Sequence, residues 1–111
     1  MFLKLKFKAR LFNYCRRQIE LKWAVLTDTL DGKHKLEVFN DHTKAFSYFI
    51  REIIRLLEVA KEAGYEPQEV LRQGKPEEIE AEVEDFRPLL IVKIDYDIRE
   101  YDIVALGLLS S

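Results

Sequence analysis

Residues 41–64 read DHTKAFSYFIREIIRLLEVAKEAG, and the spacing of their apolar side chains decides the fold. Phe46, Phe49, Ile50, Ile53, Leu56, Leu57 and Ala60 recur every three or four positions, which lines them along one side of an α-helix. Lys44, Arg51, Arg55, Glu58, Lys61 and Glu62 are left for the outer side. Asp41 or Thr43 can cap the first turn with a side-chain oxygen. Gly64 can take the left-handed conformation that ends a helix. The spacing therefore predicts one long amphipathic helix over residues 43–63.

On both sides of this helix the period falls to two, the signature of half-buried strands. Lys4, Lys6, Lys8 and Arg10 alternate with Leu3, Leu5, Phe7, Ala9 and Leu11, predicting a strand over residues 2–12 with a basic ladder on one face. A polar turn follows at residues 13–17. Residues 18–29 then place Ile19, Leu21, Trp23 and Val25 on one face, Asp31-Gly32 supplies a tight turn, and residues 33–40 return. After the helix, residues 67–73 suit one or two helical turns ended by Gly74. Residues 76–86 suit either class. Pro76-Glu77-Glu78 resembles a helix start, but Glu78, Glu80, Glu82 and Glu84 alternate with Ile79, Ala81 and Val83, and a helix would bring like charges one turn apart, so a strand is favoured. Residues 89–98 and 101–109 read as two further strands with a turn at Arg99-Glu100.

The predicted class is α+β: an antiparallel sheet of about five or six strands, in the order βββαβββ, with the long helix packed on one face. A ferredoxin-like arrangement is the alternative. The run Ile103 to Leu109 is apolar on both faces, so it must be covered on both sides. One long helix covers only one. A second subunit is the expected second cover, with Val104, Leu106 and Leu108 as the self-association residues.

With 111 residues, 48% of them apolar and 34% charged, the chain suffices for one hydrophobic core, and residues 1–111 are read as a single globular domain. Its one cysteine, Cys15, cannot form an internal disulfide, and the amino terminus lacks the continuous apolar run of a signal peptide, which points to an intracellular, cytoplasmic setting. Few uncharged polar residues beside abundant Glu, Lys and Arg suggest a thermophilic source. The net charge of −2 conceals an asymmetry, since residues 1–55 hold 12 Lys/Arg against 6 Asp/Glu, and residues 56–111 hold 6 against 14.

Three chemistries compete. Lys4, Lys6, Lys8, Arg10, Arg16 and Arg17 could follow a phosphate backbone, making the chain a nucleic-acid binder. Asp95 and Asp97 share one face of a strand near Glu100 and Asp102, an arrangement that could hold Mg²⁺ or Mn²⁺ in a nuclease-like hydrolase. Asp-x-Asp without a third ligand at defined spacing more often marks a solvated sheet face. His34, His42 and Cys15 match no usual zinc spacing. Gly32, Gly64, Gly74 and Gly107 form no phosphate-cradling loop, and the serines offer no Ser-His-Asp set. The expected function is a small non-enzymatic interaction protein that self-associates as a homodimer and needs no cofactor.

Overall fold

A computed structural model describes residues 21–29, 32–79, 83–96 and 99–110. In chain order these form β1 (Leu21–Thr29), β2 (His34–Phe39), α1 (His42–Glu62), the single turn α2 (Pro67–Val70), β3 (Leu71–Gln73), a 3-10 turn (Pro76–Glu78), β4 (Phe86–Tyr96) and β5 (Arg99–Ser110). The five strands make one sheet in the order β2-β1-β5-β4-β3, every described pair being antiparallel. The α+β class and the helix laid on one face are as the periodicities predict. The predicted strand over residues 2–12 lies outside the described residues.

Each helix end has the expected chemistry. The Asp41 carboxylate accepts the Thr43 N–H at 2.9 Å, so Asp41 is the cap. At the other end Gly64 has φ +97°, its N–H donates to the Lys61 carbonyl at 2.9 Å, and the Tyr65 N–H donates to the Ala60 carbonyl at 3.0 Å. This double closure is a Schellman motif, and it needs the positive φ that glycine takes without a Cβ penalty. Gly32 (φ +91°) ends the β1–β2 turn in the same region, donating to the Thr29 carbonyl at 3.1 Å.

Two layers of core result. On the helix side, Val25, Val104, Leu106, Ile94 and Tyr96 pack under Ala45, Phe49, Ile53, Leu56 and Ala60. On the opposite side, Ala24, Leu26, Ile91, Ile103 and Ala105 pack with Ile79 and Phe86, with Val83 half-buried beside them. The apolar character of β5 on both faces thus follows from its central place. The chain itself covers Val104 (0% exposed) and Leu106 (1%) with α1, and Ile79 and Val83 pack on the other face.

Three local expectations need correction. Pro76–Glu78 form a 3-10 turn with Pro76 in the first position, followed by the buried Ile79, instead of starting a strand. Period misleads at this start because a single inward residue, Ile79, serves a turn as well as a strand. Arg99 and Glu100 belong to β5, the register pairing Tyr96 with Arg99, instead of forming the predicted turn. Finally, residues 71–73 leave helical geometry after Val70 and add β3 to the outer edge of β4. Gly74 continues that edge, its N–H donating to the Ile91 carbonyl at 2.9 Å. A Cβ on Gly74 would come within 2.3 Å of the Ile91 side chain, so glycine permits the close pass.

Candidate interaction groove

A helix is about 10 Å across with its side chains, whereas neighbouring strands lie about 4.8 Å apart. One helix therefore covers about two strands of a five-stranded sheet. α1 rests mainly on β5 and β1. Toward its carboxy-terminal end the next part of the sheet is filled by α2, whose Val70 is buried beside Ile94 and Tyr96. Toward its amino-terminal end nothing among the described residues lies over β4 and β3.

The result is an open groove of about 690 Å³. One wall is the flank of α1, with Phe46, Phe49, Ile50 and Ile53; the other is β3 and its continuation, with Leu71, Arg72, Gln73, Gly74 and Pro76; Leu89 to Val92 of β4 form the floor. Its volume is within the ~300–1,000 Å³ of clefts that bury a bound group. The lining is largely apolar and accessible: Phe46, Ile50, Leu71, Leu89 and Leu90 are 38–50% exposed. Ile54 (51%) prolongs the stripe along the helix, about 80° around the axis from Phe46. At the amino-terminal end of the stripe, His42 lies against Phe46 with ring centroids 6.0 Å apart and meets Trp23 edge-on at 4.4 Å.

Two features hold the β3–β4 side in place. Arg72 pairs with Asp95 at 3.1 Å, and Lys93 pairs with Glu78 at 3.2 Å while lying 4.0 Å from the Tyr101 ring centroid. Burial pulls the Lys93 ammonium pKa down, but Glu78, together with smaller contributions from Tyr101 and Asp95, outweighs it and the net shift is upward. At the floor, Leu89 is an extra residue in the β4–β5 ladder, between Pro88 (opposite Gly107) and Leu90 (opposite Leu106). A Cβ on Gly107 would meet the Arg87 carbonyl oxygen at 2.4 Å, so this bulge requires glycine on β5.

The far side of α1 carries a buried carboxylate. Glu52 (5% exposed) accepts the Tyr48 O–H at 2.8 Å and the Arg55 Nε–H at 2.7 Å, with the Lys35 ammonium 3.7 Å away. Burial raises its pKa, but the hydrogen bonds from Arg55 and Tyr48 and the two nearby cations together hold it below the ordinary value. Tyr48 is pushed up, chiefly by burial. Asp102 is fully buried and accepts the Tyr96 O–H at 3.2 Å.

The residues singled out by sequence fall as follows. Asp95 is held by Arg72, and Asp97 lies outside the described residues, among which no three His, Cys, Asp or Glu side chains group as a metal site. Asp102 points to the helix side, into the core with Tyr96 and Ile94. His34 opens β2 and His42 opens α1. Lys4, Lys6, Lys8, Arg10, Cys15, Arg16 and Arg17 lie outside the described residues. Of the proposed contact residues, Val104 and Leu106 are interior, while Leu108 is half-buried at the open end, in register with Trp23. The groove residues Leu71, Leu89 and Leu90 escape a reading by period. Two signals point to them in retrospect: the apolar arc of α1 extends to Ile54, too wide for one contact, and Pro88-Leu89-Leu90 breaks strand alternation.

No described helix is long and apolar enough to cross a membrane. The chain matches no protein-family model, no curated protein and no solved structure.

Proposed function

We propose that the chain is a non-enzymatic interaction protein that self-associates, with the groove beside α1 as its contact surface. The observation that carries this reading is the contiguous accessible apolar lining formed by Phe46, Ile50, Leu71, Leu89 and Leu90. Exposed apolar patches of this kind mark interaction sites, because leaving them in water forgoes about 25 cal/mol for each Å² that a partner would bury. The buried ionisable groups speak for a scaffold over a catalyst: Glu52 is satisfied by Tyr48, Arg55 and Lys35, and Asp102 receives the Tyr96 hydroxyl. Light scattering after size exclusion should give at least twice the 13.2 kDa of one chain. Leu90→Asp should return the mass to that of one chain while the far-UV circular dichroism stays unchanged. A wild-type protein that remains a monomer at high concentration refutes the proposal.

A further inference from the structure

We infer a second self-association surface, independent of the groove: the outer edge of β2, which pairs antiparallel with β2 of a second copy about a twofold axis at Leu36. The two outer edges of the sheet are built differently. On the β4–β3 side Pro88 has no N–H to offer, the extra residue at Leu89 breaks the ladder and β3 is only three residues long, all of which discourage a further strand. β2 has none of these features. Its six residues run in unbroken register with β1, contain no proline and pair with no other described strand. Lysine is the other common guard of an edge, but Lys35 leans over the sheet toward α1, its ammonium 3.7 Å from Glu52 and 5.5 Å from the Tyr48 ring centroid.

Hydrogen-bond phase and charge together select one pairing. The Thr29 N–H donates to the Lys33 carbonyl at 2.9 Å, so in the β1–β2 ladder residues 33, 35, 37 and 39 turn their backbone groups toward β1. Leu36 and Val38 turn theirs outward. A twofold pairing must match outward groups with outward groups, and if most of β2 is to overlap the axis falls at Lys35, Leu36 or Glu37. An axis at Lys35 sets the two Lys35 ammonium groups against each other, and an axis at Glu37 does the same to the two Glu37 carboxylates. With the axis at Leu36, Lys35 of each copy faces Glu37 of the other, in a pair that exchanges no hydrogen bonds and therefore brings its side chains closest.

The same register joins apolar groups on the other face of the sheet. There Leu36, half-buried against the layer that holds Ala24 and Leu26, meets Leu36 of the second copy, and Val38, 44% exposed, gains cover from the strand opposite. Residues 2–12 are the competing occupant. With Leu3, Leu5 and Phe7 placed beside Leu36, their ladder of Lys4, Lys6, Lys8 and Arg10 would stand against Lys35, whereas a second copy brings Glu37 to that place. Backbone pairs at an exposed edge replace bonds to water, so this contact is weak by itself: it forms at millimolar protein, while a dilute Leu90→Asp chain stays single.

The test uses the full chain with Leu90→Asp, which silences the groove, and Cys15→Ser, which removes the native thiol. Sedimentation should show a single chain when dilute and a dimer at millimolar concentration. Under mild oxidation at that concentration, Leu36→Cys should link two chains about tenfold faster than Val38→Cys, because the axis brings the two Leu36 Cα atoms to about 5.5 Å and leaves the two Val38 positions about 14 Å apart along the strands. Accessibility alone would give the reverse order, Val38 being the more exposed. Glu37→Lys should weaken the dimer about tenfold while the melting temperature of the dilute chain is unchanged, and this variant decides the matter should Leu36→Cys fold poorly. A chain that stays single at millimolar concentration, linkage through Val38 as fast as through Leu36, or a dimer indifferent to Glu37→Lys overturns the edge pairing and leaves the groove reading intact. So does a Leu36 amide protected from hydrogen exchange in the dilute chain, the sign that residues 2–12 already pair there. A Leu90→Asp chain that links through Leu36 when concentrated, beside a wild-type chain that is single when dilute, would support the edge and overturn the groove.

Discussion

The helix side of the sheet has two halves of similar composition and opposite fate. Over β1 and β5, Val25, Val104 and Leu106 are sealed by Phe49, Ile53 and Leu56 of α1 and are at most 1% exposed. Over β4 and β3, Leu71, Leu89 and Leu90 are 42–50% exposed. Leu106 and Leu90 are even opposite one another across the β4–β5 ladder. Side-chain chemistry does not separate them. Position under the helix does, and apolar character alone therefore cannot tell a core residue from a contact residue.

The strongest way to break this contrast is to place the same charge on both leucines. Leu106→Asp should cost roughly 4 kcal/mol or more and leave little folded protein, because a buried carboxylate has no partner there. Leu90→Asp should change the stability of the fold by no more than about 1 kcal/mol in urea titration, its effect appearing only in association. Equal losses at the two sites would show that the halves are not distinct. The bulge that shapes the open half gives the next effect. Gly107→Ala should destabilise by about 1–3 kcal/mol, since the new Cβ meets the Arg87 backbone and not a movable side chain. A neutral Gly107→Ala would mean that the Pro88–Leu90 irregularity relaxes freely.

The ion pairs sharpen the contrast further. Glu52→Gln should cost about 1–3 kcal/mol at pH 7, as the Arg55 guanidinium loses a charged partner within the covered half. Because folding lowers the Glu52 pKa, its contribution is complete above the ordinary carboxyl value of 4.5 and is lost as pH falls through the lower folded value. Urea midpoints measured between pH 7 and pH 3 should fall less steeply for Glu52→Gln than for wild type. An identical slope would remove Glu52 from the acid sensitivity. The smallest effect belongs to the open half: Asp95→Ala should shift stability by about 0–1 kcal/mol, since Arg72 is 62% exposed and the buried Asp95 Oδ1 has no hydrogen-bond partner to lose. A divalent cation that raises the melting temperature of wild type but not of Asp95→Ala would instead assign Asp95 a ligand role.

Legibility in the sequence varied with how local the determining physics is. The span of α1 could be read to within a residue because period, cap and terminal glycine all act within a few residues of one another. The β1–β2 hairpin and β4–β5 were legible for the same reason. β3 was not, because three residues hold no period, and Leu71–Gln73 become a strand only where β4 offers them an edge. Pro76–Glu78 mislead in the opposite direction, opening an alternating stretch yet forming a 3-10 turn that leads Ile79 into the core. The doubly apolar β5 was seen to need two covers, yet which parts of the chain supply them depends on residues far away in sequence.

By itself, then, the sequence determined the α+β class, the helix with its two caps, and the central demand of β5 for burial on both faces, all of which arise from short-range geometry and hydrophobic period. Only the tertiary structure decided the strand order, which half of the sheet α1 covers, and hence that Leu90 faces a groove while Leu106 lies in the core. The physical reason is one of widths: a single helix spans about two strands, and where it settles on five is set by long-range packing that no local pattern encodes.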